Sequence, residues 1–387
     1  MIVKLAFRNL LGAGLRTWLN VFILSLGYFG IIAMQGIYVG WQEEATRNIK
    51  DWDVAHGQYW QENYDQYDPF TLDESHTIIP SKLRNNENAV PILISPATIY
   101  PEGRMKSIVL KGINPNQTLL KIPTKHLSAN SNELVGIIGN RTAKMMKLAK
   151  GDFVTVRWRD KNGTFDAADV EIVHIFQTTV LTVDSNQIWL QLDKLQEMLN
   201  LPNEATIISI NKTEVSDDFA GWKFQTSEYL LRDLTAMIEA KKSGGNIMYV
   251  ILLFLAMIAI FDTQILSVFR RRKEMGTLMA LGMTRAKLII LFTFEGILHA
   301  FFAIFVGAIY GIPLLRKFQE AGMSMGVSGD DFGISGLSDR LYPVYGLRLV
   351  VITVIIVLCV VSVVSYLPTQ RIAKLKPTDA LKGKMTK

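Results

Sequence analysis

Four long apolar runs punctuate an otherwise mixed chain: Trp18 to Val39, Ile247 to Phe269, Leu288 to Leu315, and Val344 to Leu367. A helix rises about 1.5 Å per residue, so about 20 apolar residues cross a hydrocarbon core of about 30 Å, and each run is long enough. Between the first two runs the pattern changes to short alternating segments broken by polar turns, from roughly Trp41 to Gly245. That stretch can bury a core of its own. The pattern predicts a fold of membrane α plus soluble α+β, four transmembrane helices with a large extracytoplasmic mixed α/β domain between the first and second. In residue numbers the expectation is a cytoplasmic amphipathic helix (1–17), span one (18–40), the extracytoplasmic, periplasmic domain (41–245) and span two (246–269). A cytoplasmic coupling helix (270–286), span three (287–315), a short outer loop (316–343), span four (344–367) and a basic cytoplasmic tail (368–387) follow.

Within the inserted region, Val90 to Tyr100, Met105 to Ile113, Phe153 to Trp158, Asp169 to Phe176 and Thr206 to Asn211 read as strands, with Asn162-Gly163 as a hairpin turn. Three helices are expected: Asn140 to Leu148 stopping at Gly151, Lys194 to Leu199 capped by Asp193, and Glu228 to Lys242 capped by Ser227. The last points at the second span, with Gly244-Gly245 as a flexible joint.

Composition agrees with a mixed architecture, because 49% hydrophobic and 20% charged residues suit neither a soluble nor an all-membrane protein. The basic residues set orientation. Lys4, Arg8 and Arg16 precede the first span; Arg270, Arg271, Arg272, Lys273, Arg285 and Lys287 fill the link between the second and third; Arg371, Lys374, Lys376, Lys382, Lys384 and Lys387 form the tail. All three groups lie on one side, which the positive-inside rule assigns to the cytoplasm. The net charge of +6 is therefore a topology signal, and a nucleic-acid partner is excluded because the cations cluster at membrane edges. Gly40-Trp41-Gln42-Glu43-Glu44 offers no small-x-small cleavage site, so the first span is expected to remain as an anchor. The single cysteine, Cys359, falls inside the fourth span and leaves the inserted domain without disulfides.

The search for chemistry returns negatives. There is no GxxxxGK[ST] loop, so ATP binds elsewhere. His56, His76, His126, His174 and His299 lack metal-ligand spacing, and no metal is expected. Gly322-Met323-Ser324-Met325-Gly326 matches a GxSxG elbow in letters, but the motif needs a strand-turn-helix and this one falls in a loop between spans. No catalytic or cofactor-binding residue is expected.

The informative constellations lie at the cytoplasmic membrane edge. Lys4, Arg8 and Arg16, with Gly12 in the gap, share a four-residue spacing, with Leu5, Leu11, Leu15 and Trp18 off that stripe, which reads as an interfacial helix. After the basic run, Glu274 to Leu281 reads as a short helix stopped by Gly282, with Thr284 as the next cap. Met275, Leu278 and Met279 are expected on its exposed face as a docking knob, the alternative being a charged hairpin resting on lipid headgroups. Asp262 in the second span is expected to face protein, since an ionised Asp at a helix centre costs roughly 2.5 to 3.5 kcal/mol. Glu295 lies beside a small-residue face of Gly296, Ala300, Ala303, Gly307 and Gly311, which reads as a packing seam.

Arg272-Lys273-Glu274-Met275-Gly276 with Ala280-Leu281-Gly282-Met283 resembles the RR-x-E-I-G-x-L-x-A-L-G-A link of the ABC permease superfamily that includes the macrolide exporter, the lipoprotein-releasing permeases and the cell-division permease FtsX. Leu5-Ala6-Phe7-Arg8-Asn9-Leu10 resembles its A-W-R-N-L opening. Leu367-Pro368-Thr369-Gln370-Arg371-Ile372-Ala373-Lys374-Leu375-Lys376-Pro377-Thr378-Asp379-Ala380-Leu381 resembles its P-A-R-R-A-A-x-L-x-P-x-x-A-L ending. Gly139 to Val156, with Leu148-Ala149-Lys150-Gly151-Asp152, resembles a stretch of the exporter-type periplasmic core domain, and His56-Gly57-Gln58 with Tyr64 resembles a stretch of the lipoprotein-releasing permeases.

The resemblance implies a mechanotransmission permease, multi-pass in a bacterial inner membrane, that relays ATP-driven motion of a separate cytoplasmic ATPase to its periplasmic domain. Its implied substrate is lipophilic, a lipoprotein or peptide-like, and a regulator of an envelope enzyme such as a peptidoglycan hydrolase is the alternative. ATPase coupling is implied for Arg272, Lys273, Glu274, Met275, Gly276, Leu278, Met279 and Gly282. Implied partners are the ATPase, which uses ATP and Mg, a second permease copy or paralogue as a dimer, membrane lipids, and a periplasmic adaptor or lipoprotein. The sequence departs from the macrolide exporter in lacking a fused ATPase, and from cell-division permeases in its larger inserted domain.

Overall fold

The computed structural model describes residues 6–7, 14–84, 86–128, 134–211, 218–324 and 340–373. The chain divides into two compact units: a membrane unit of Met1–Trp41, Glu239–Ser324 and Arg340–Lys387, and an inserted domain of Gln42–Ile238 with Met325–Asp339. Lys4, Arg8 and Gly12 of the basic stripe, Leu5 and Leu11 beside it, the Met325-Gly326 end of the GxSxG match, and the tail from Lys374 lie outside the described residues.

Four helices are long and apolar enough to cross a membrane. They belong to α1 (Leu15–Ile49), α4 (Arg232–Arg270), α6 (Arg285–Ala321) and α7 (Leu347–Ala373). Between α4 and α6 lies the short α5 (Arg272–Ala280). The bundle core joins Val21, Leu24, Tyr28 and Ile31 of α1, Ile260 of α4, Ala300 and Ala303 of α6, and Val357, Val361 and Val364 of α7. Lipid tails are as apolar as leucine, so the helices associate through close packing, which small residues permit. A Cβ at Gly307 would lie 3.5 Å from the Ser25 Cβ, and one at Gly311 3.4 Å from the Phe29 ring, so these two glycines face α1. Gly296 faces α7 and α4, where any Cβ would overlap Ser365 and press on Gln264.

The inserted domain contains β1 (Gly57–Gln61), β2 (Thr77–Ile78), β3 (Ala89–Ile99), β4 (Lys106–Ile113), β5 (Val135–Gly139), β6 (Phe153–Arg159) and β7 (Phe165–Phe176). Then come β8 (Gln187–Gln191), β9 (Glu204–Ala205), β10 (Ile207–Ile210) and β11 (Trp222–Thr226). Besides single-turn helices, two longer ones interleave among the described residues, α2 (Asn140–Met146) and α3 (Leu192–Leu199). Nine strands form one sheet in the order β11-β1-β10-β3-β4-β8-β5-β7-β6, and β6 also pairs with β3, closing the last six strands on themselves. The pairs β4–β8 and β5–β7 are parallel.

Alternation puts two cores on the two faces of this sheet. Ile108, Leu110, Ile138, Ile188 and Leu190 face one, roofed by Leu192, Leu195 and Leu199 of α3. Ile92, Ile94, Val135, Ile137 and Trp189 face the other. Each fully buried aliphatic side chain contributes about 1.5 to 3 kcal/mol. The β6–β7 turn holds Gly163 at φ +82°, a left-handed conformation that glycine adopts without strain.

Several local expectations are corrected. The helix starting at Asn140 ends at Met146, with Lys147 left-handed at φ 54°, four residues before Gly151. Gln191 precedes α3, so Asp193 lies within its first turn and does not cap it. Thr226 accepts from the Tyr229 N–H and starts a single turn, Ser227–Leu230, in place of a Ser227 cap. Gly244 and Gly245 lie inside α4, which continues unbroken through them. The ring of Tyr38 occupies the space beside Gly245, so α1 flanks the helix at that point.

Candidate functional site

The connection between α4 and α6 is built by local signals. After Arg270 the chain breaks at Arg271 and restarts as α5, whose last turn is closed by Gly282 at φ +93°; the Met283 N–H donates to the Leu278 carbonyl at 3.0 Å. Thr284 caps α6, its hydroxyl accepting from the Lys287 N–H at 3.4 Å.

The helix is seated from below. Met275 is fully buried with Leu288 and Phe292 of α6, and Leu278, Met279 and Met283 pack around them. Met275 is therefore part of the seat and not of an exposed knob, because the apolar side of a short helix buries against its nearest span. Leu278 and Met279 are half-buried beside it, and Gly276 is buried. The outer side carries Lys273, Glu274, Thr277, Ala280 and Leu281, the last 79% exposed. Arg272 opens α5.

Arg271 pins this seat to the third span. Its Nη1 donates to both carboxylate oxygens of Glu295, at 2.9 and 3.1 Å, its Nε donates to Glu274 Oε2 at 2.8 Å, and its guanidinium lies 5.1 Å from the Phe292 ring centroid. The Glu295 side chain is 7% exposed and that of Arg271 22%. A buried carboxylate without a partner is costly, so the guanidinium makes Glu295 tolerable in a span and ties α5 to α6. Sequence reasoning passed over Arg271 as one of a basic run; the signal that could have found it was Glu295, a span carboxylate that needs a cation.

Immediately after Glu295, α6 carries Gly296, buried against Ser365 of α7 and Gln264 of α4, while Thr293 and Thr369 pair at 3.2 Å. Ala300 is fully buried. Asp262 is exposed on α4.

Residues 246–377 match the family model of the FtsX-like permease C-terminal region. Over these residues the chain is similar to the FtsX-like permeases. The match spans the end of α4, α5, α6 and α7, and so includes Arg271, Glu295 and Gly296; with four helices long and apolar enough to cross a membrane, the chain reads as a multi-pass membrane protein. No curated protein matches the sequence. Among solved structures, the extracellular domain of the noncanonic ABC-type transporter YknZ from Gram-positive bacteria is similar at 13% identity and a TM-score of 0.24, covering 41% of this chain and 83% of that one; so low a score carries no argument.

The remaining candidates stay apart. No group of three or more His, Cys, Asp or Glu able to hold a metal occurs among the described residues. His76 pairs with Glu204 at 2.5 Å, His126 stacks on His174 at 4.0 Å, and His299 Nδ1 lies 2.7 Å from the Glu295 carbonyl oxygen. Ser324 sits in a two-residue strand, Met323–Ser324, paired with Arg340–Leu341, which is not the strand-to-helix turn a nucleophile elbow needs.

Proposed function

We propose that this permease relays ATP-driven motion of a separate cytoplasmic ATPase to its inserted domain, held on the extracytoplasmic side of a bacterial inner membrane, and so extracts or exports a lipophilic, lipoprotein or peptide-like substrate. The observation that carries the reading is the Arg271–Glu295 pair: a short helix that must pass force to a span needs a stiff joint, and a buried charge pair seated beside Met275 and Phe292 supplies one. The contact with the ATPase is the outer side of α5, with Leu281 as its apolar anchor and Lys273 and Glu274 as its charged rim. This chain binds no cofactor in the cycle; ATP and Mg belong to the ATPase. The permease works as a dimer with a second copy or paralogue, whose spans cover the exposed face of α4 that bears Asp262, and an adaptor or lipoprotein meets the outer domain.

The test is affinity purification of the full chain from native membranes beside a Leu281→Asp variant. Leu281 is mostly solvent-facing, so its replacement spares the Met275 seat. An ATPase should copurify with the parent chain and be lost, or have its turnover uncoupled, with the variant. Equal recovery and equal coupled turnover would defeat the reading.

A further inference from the structure

One end of the inserted domain is apolar and basic at once. Lys106 Nζ donates to the Met145 carbonyl at 2.9 Å, which ties the turn 100–105 to the C-terminal end of α2. β3 pairs with β6 as Ile99 with Val156, so Phe153, at the start of β6, runs alongside the same turn. Val154, Val156 and Trp158 of β6 enter the core, and alternation turns Phe153 outward. Met105 is 72% exposed, Phe153 64% and Met145 45%, so three large apolar side chains face solvent around this end.

Cations surround them. Arg104, Lys144, Lys147 and Lys150 are exposed, and Lys106 lies between the turn and α2. Over residues 100–106 and 144–153 these five cations meet two carboxylates, Glu102 and Asp152, and Asp152 accepts from the Ala149 N–H at 2.7 Å. Four of the five are lysines. An ammonium on a flexible stem suits scattered phosphates, whereas a fixed carboxylate on a protein is better matched by the arginine fork. Methionine side chains adapt to a fluid apolar partner in the same way. Flexible cations ringing exposed apolar side chains are the complement of an anionic lipid surface.

We propose that this end of the inserted domain binds an anionic phospholipid surface, with headgroup phosphates on the lysines and Met105, Met145 and Phe153 among the acyl chains. The proposal deepens the functional reading by naming where a lipophilic substrate is met, and rests on that reading for its role in transport, but not for the binding itself.

The full chain is placed in phosphatidylcholine nanodiscs, with Met145→Cys in a Cys359→Ser background carrying bimane, and is titrated with vesicles. A saturable blue shift is expected with vesicles of phosphatidylglycerol and phosphatidylcholine, and none with phosphatidylcholine alone. Each lysine at an anionic surface is worth roughly fivefold in affinity, so Lys144→Gln with Lys150→Gln should weaken binding about 25-fold. Phe153→Ser should weaken it at least about tenfold, and Lys223→Gln on β11 should leave it unchanged. The substituted side chains are exposed, so the variants should fold, which an unchanged thermal melt verifies. In native membranes a benzophenone side chain in place of Met105 should crosslink to phospholipid. No blue shift, an equal shift with phosphatidylcholine alone, indifference to the lysine pair or to Phe153→Ser, or full displacement by inorganic phosphate at matched ionic strength would overturn the proposal. So would crosslinking to protein, a second copy included, with none to lipid. Because the vesicle readout needs only this chain, its failure leaves ATPase coupling standing, whereas loss of coupling in the Leu281→Asp variant leaves the vesicle titration intact.

Discussion

Breaking the Arg271–Glu295 pair should loosen the seat of α5 more than any surface change on that helix. Removing one member of a buried ion pair costs about 3 to 5 kcal/mol, because the other charge is left without compensation. Here the cost should fall toward the lower end when Glu295 is removed, since Arg271 keeps Glu274 at 2.8 Å and can reach the polar edge of the bundle. Removing Arg271 should cost more, since the Glu295 side chain is only 7% exposed. The assay is a double-mutant cycle of Arg271→Leu and Glu295→Leu, read as thermal unfolding of the detergent-solubilised chain and as turnover of the proposed partner ATPase after reconstitution. Each single variant should lose stability and coupled turnover, and the double variant should recover part of the stability but not the coupling, because two leucines pack without forming a joint. A coupling energy below about 0.5 kcal/mol, the level at which independent sites simply add, would refute the argument.

Topology can be mapped by single-cysteine labelling in a Cys359→Ser background: a cysteine at Asn162 should react with an impermeant reagent from outside, and cysteines at Lys273 and Lys384 only from inside. The inserted domain should also lose stability in mild acid. Burial, His126 and Lys150 hold the His174 imidazole below its ordinary value of 6.5, so the unfolded chain takes up the proton first. The His174 contribution is therefore present in full above about 6.5, and is lost as pH falls through that value toward the lower folded one. His174→Gln should flatten the unfolding temperature between pH 7 and 5; an unchanged slope would contradict the assignment.

What was legible in the sequence follows from pattern length. The spans could be read because about twenty apolar residues have few alternative uses. The runs at β3, β4, β6, β7 and β10 could be read from β-branched content and turn signals. β1, β5, β8 and β11 could not, because five-residue strands leave little room for alternation to register, and β1, β5 and most of β8 are buried on both faces. β1 hides polar residues as well: Gln58 is buried by donating to the Asp53 carbonyl at 3.0 Å and to Ser209 at 3.1 Å while accepting from Trp60. At the candidate site, Gly282 and Thr284 announced the ends of the helices, but which side of α5 is buried depends on Leu288 and Phe292 of the next span, a tertiary fact no local pattern contains. Arg271 escaped for the same reason, since its partner lies 24 residues away.

The relay itself is tested most directly by pulsed EPR. A spin label at Phe165, exposed on the β6–β7 hairpin, is placed in a Cys359→Ser chain reconstituted with the proposed partner ATPase, and the distance between the two copies of the proposed dimer is compared in nucleotide-free and vanadate-trapped states. The account predicts that the distribution shifts between the two states in the parent complex and stays fixed when Arg271→Leu breaks the joint under α5. Identical distributions in both nucleotide states of the parent, or a full shift in the Arg271→Leu complex, would contradict it.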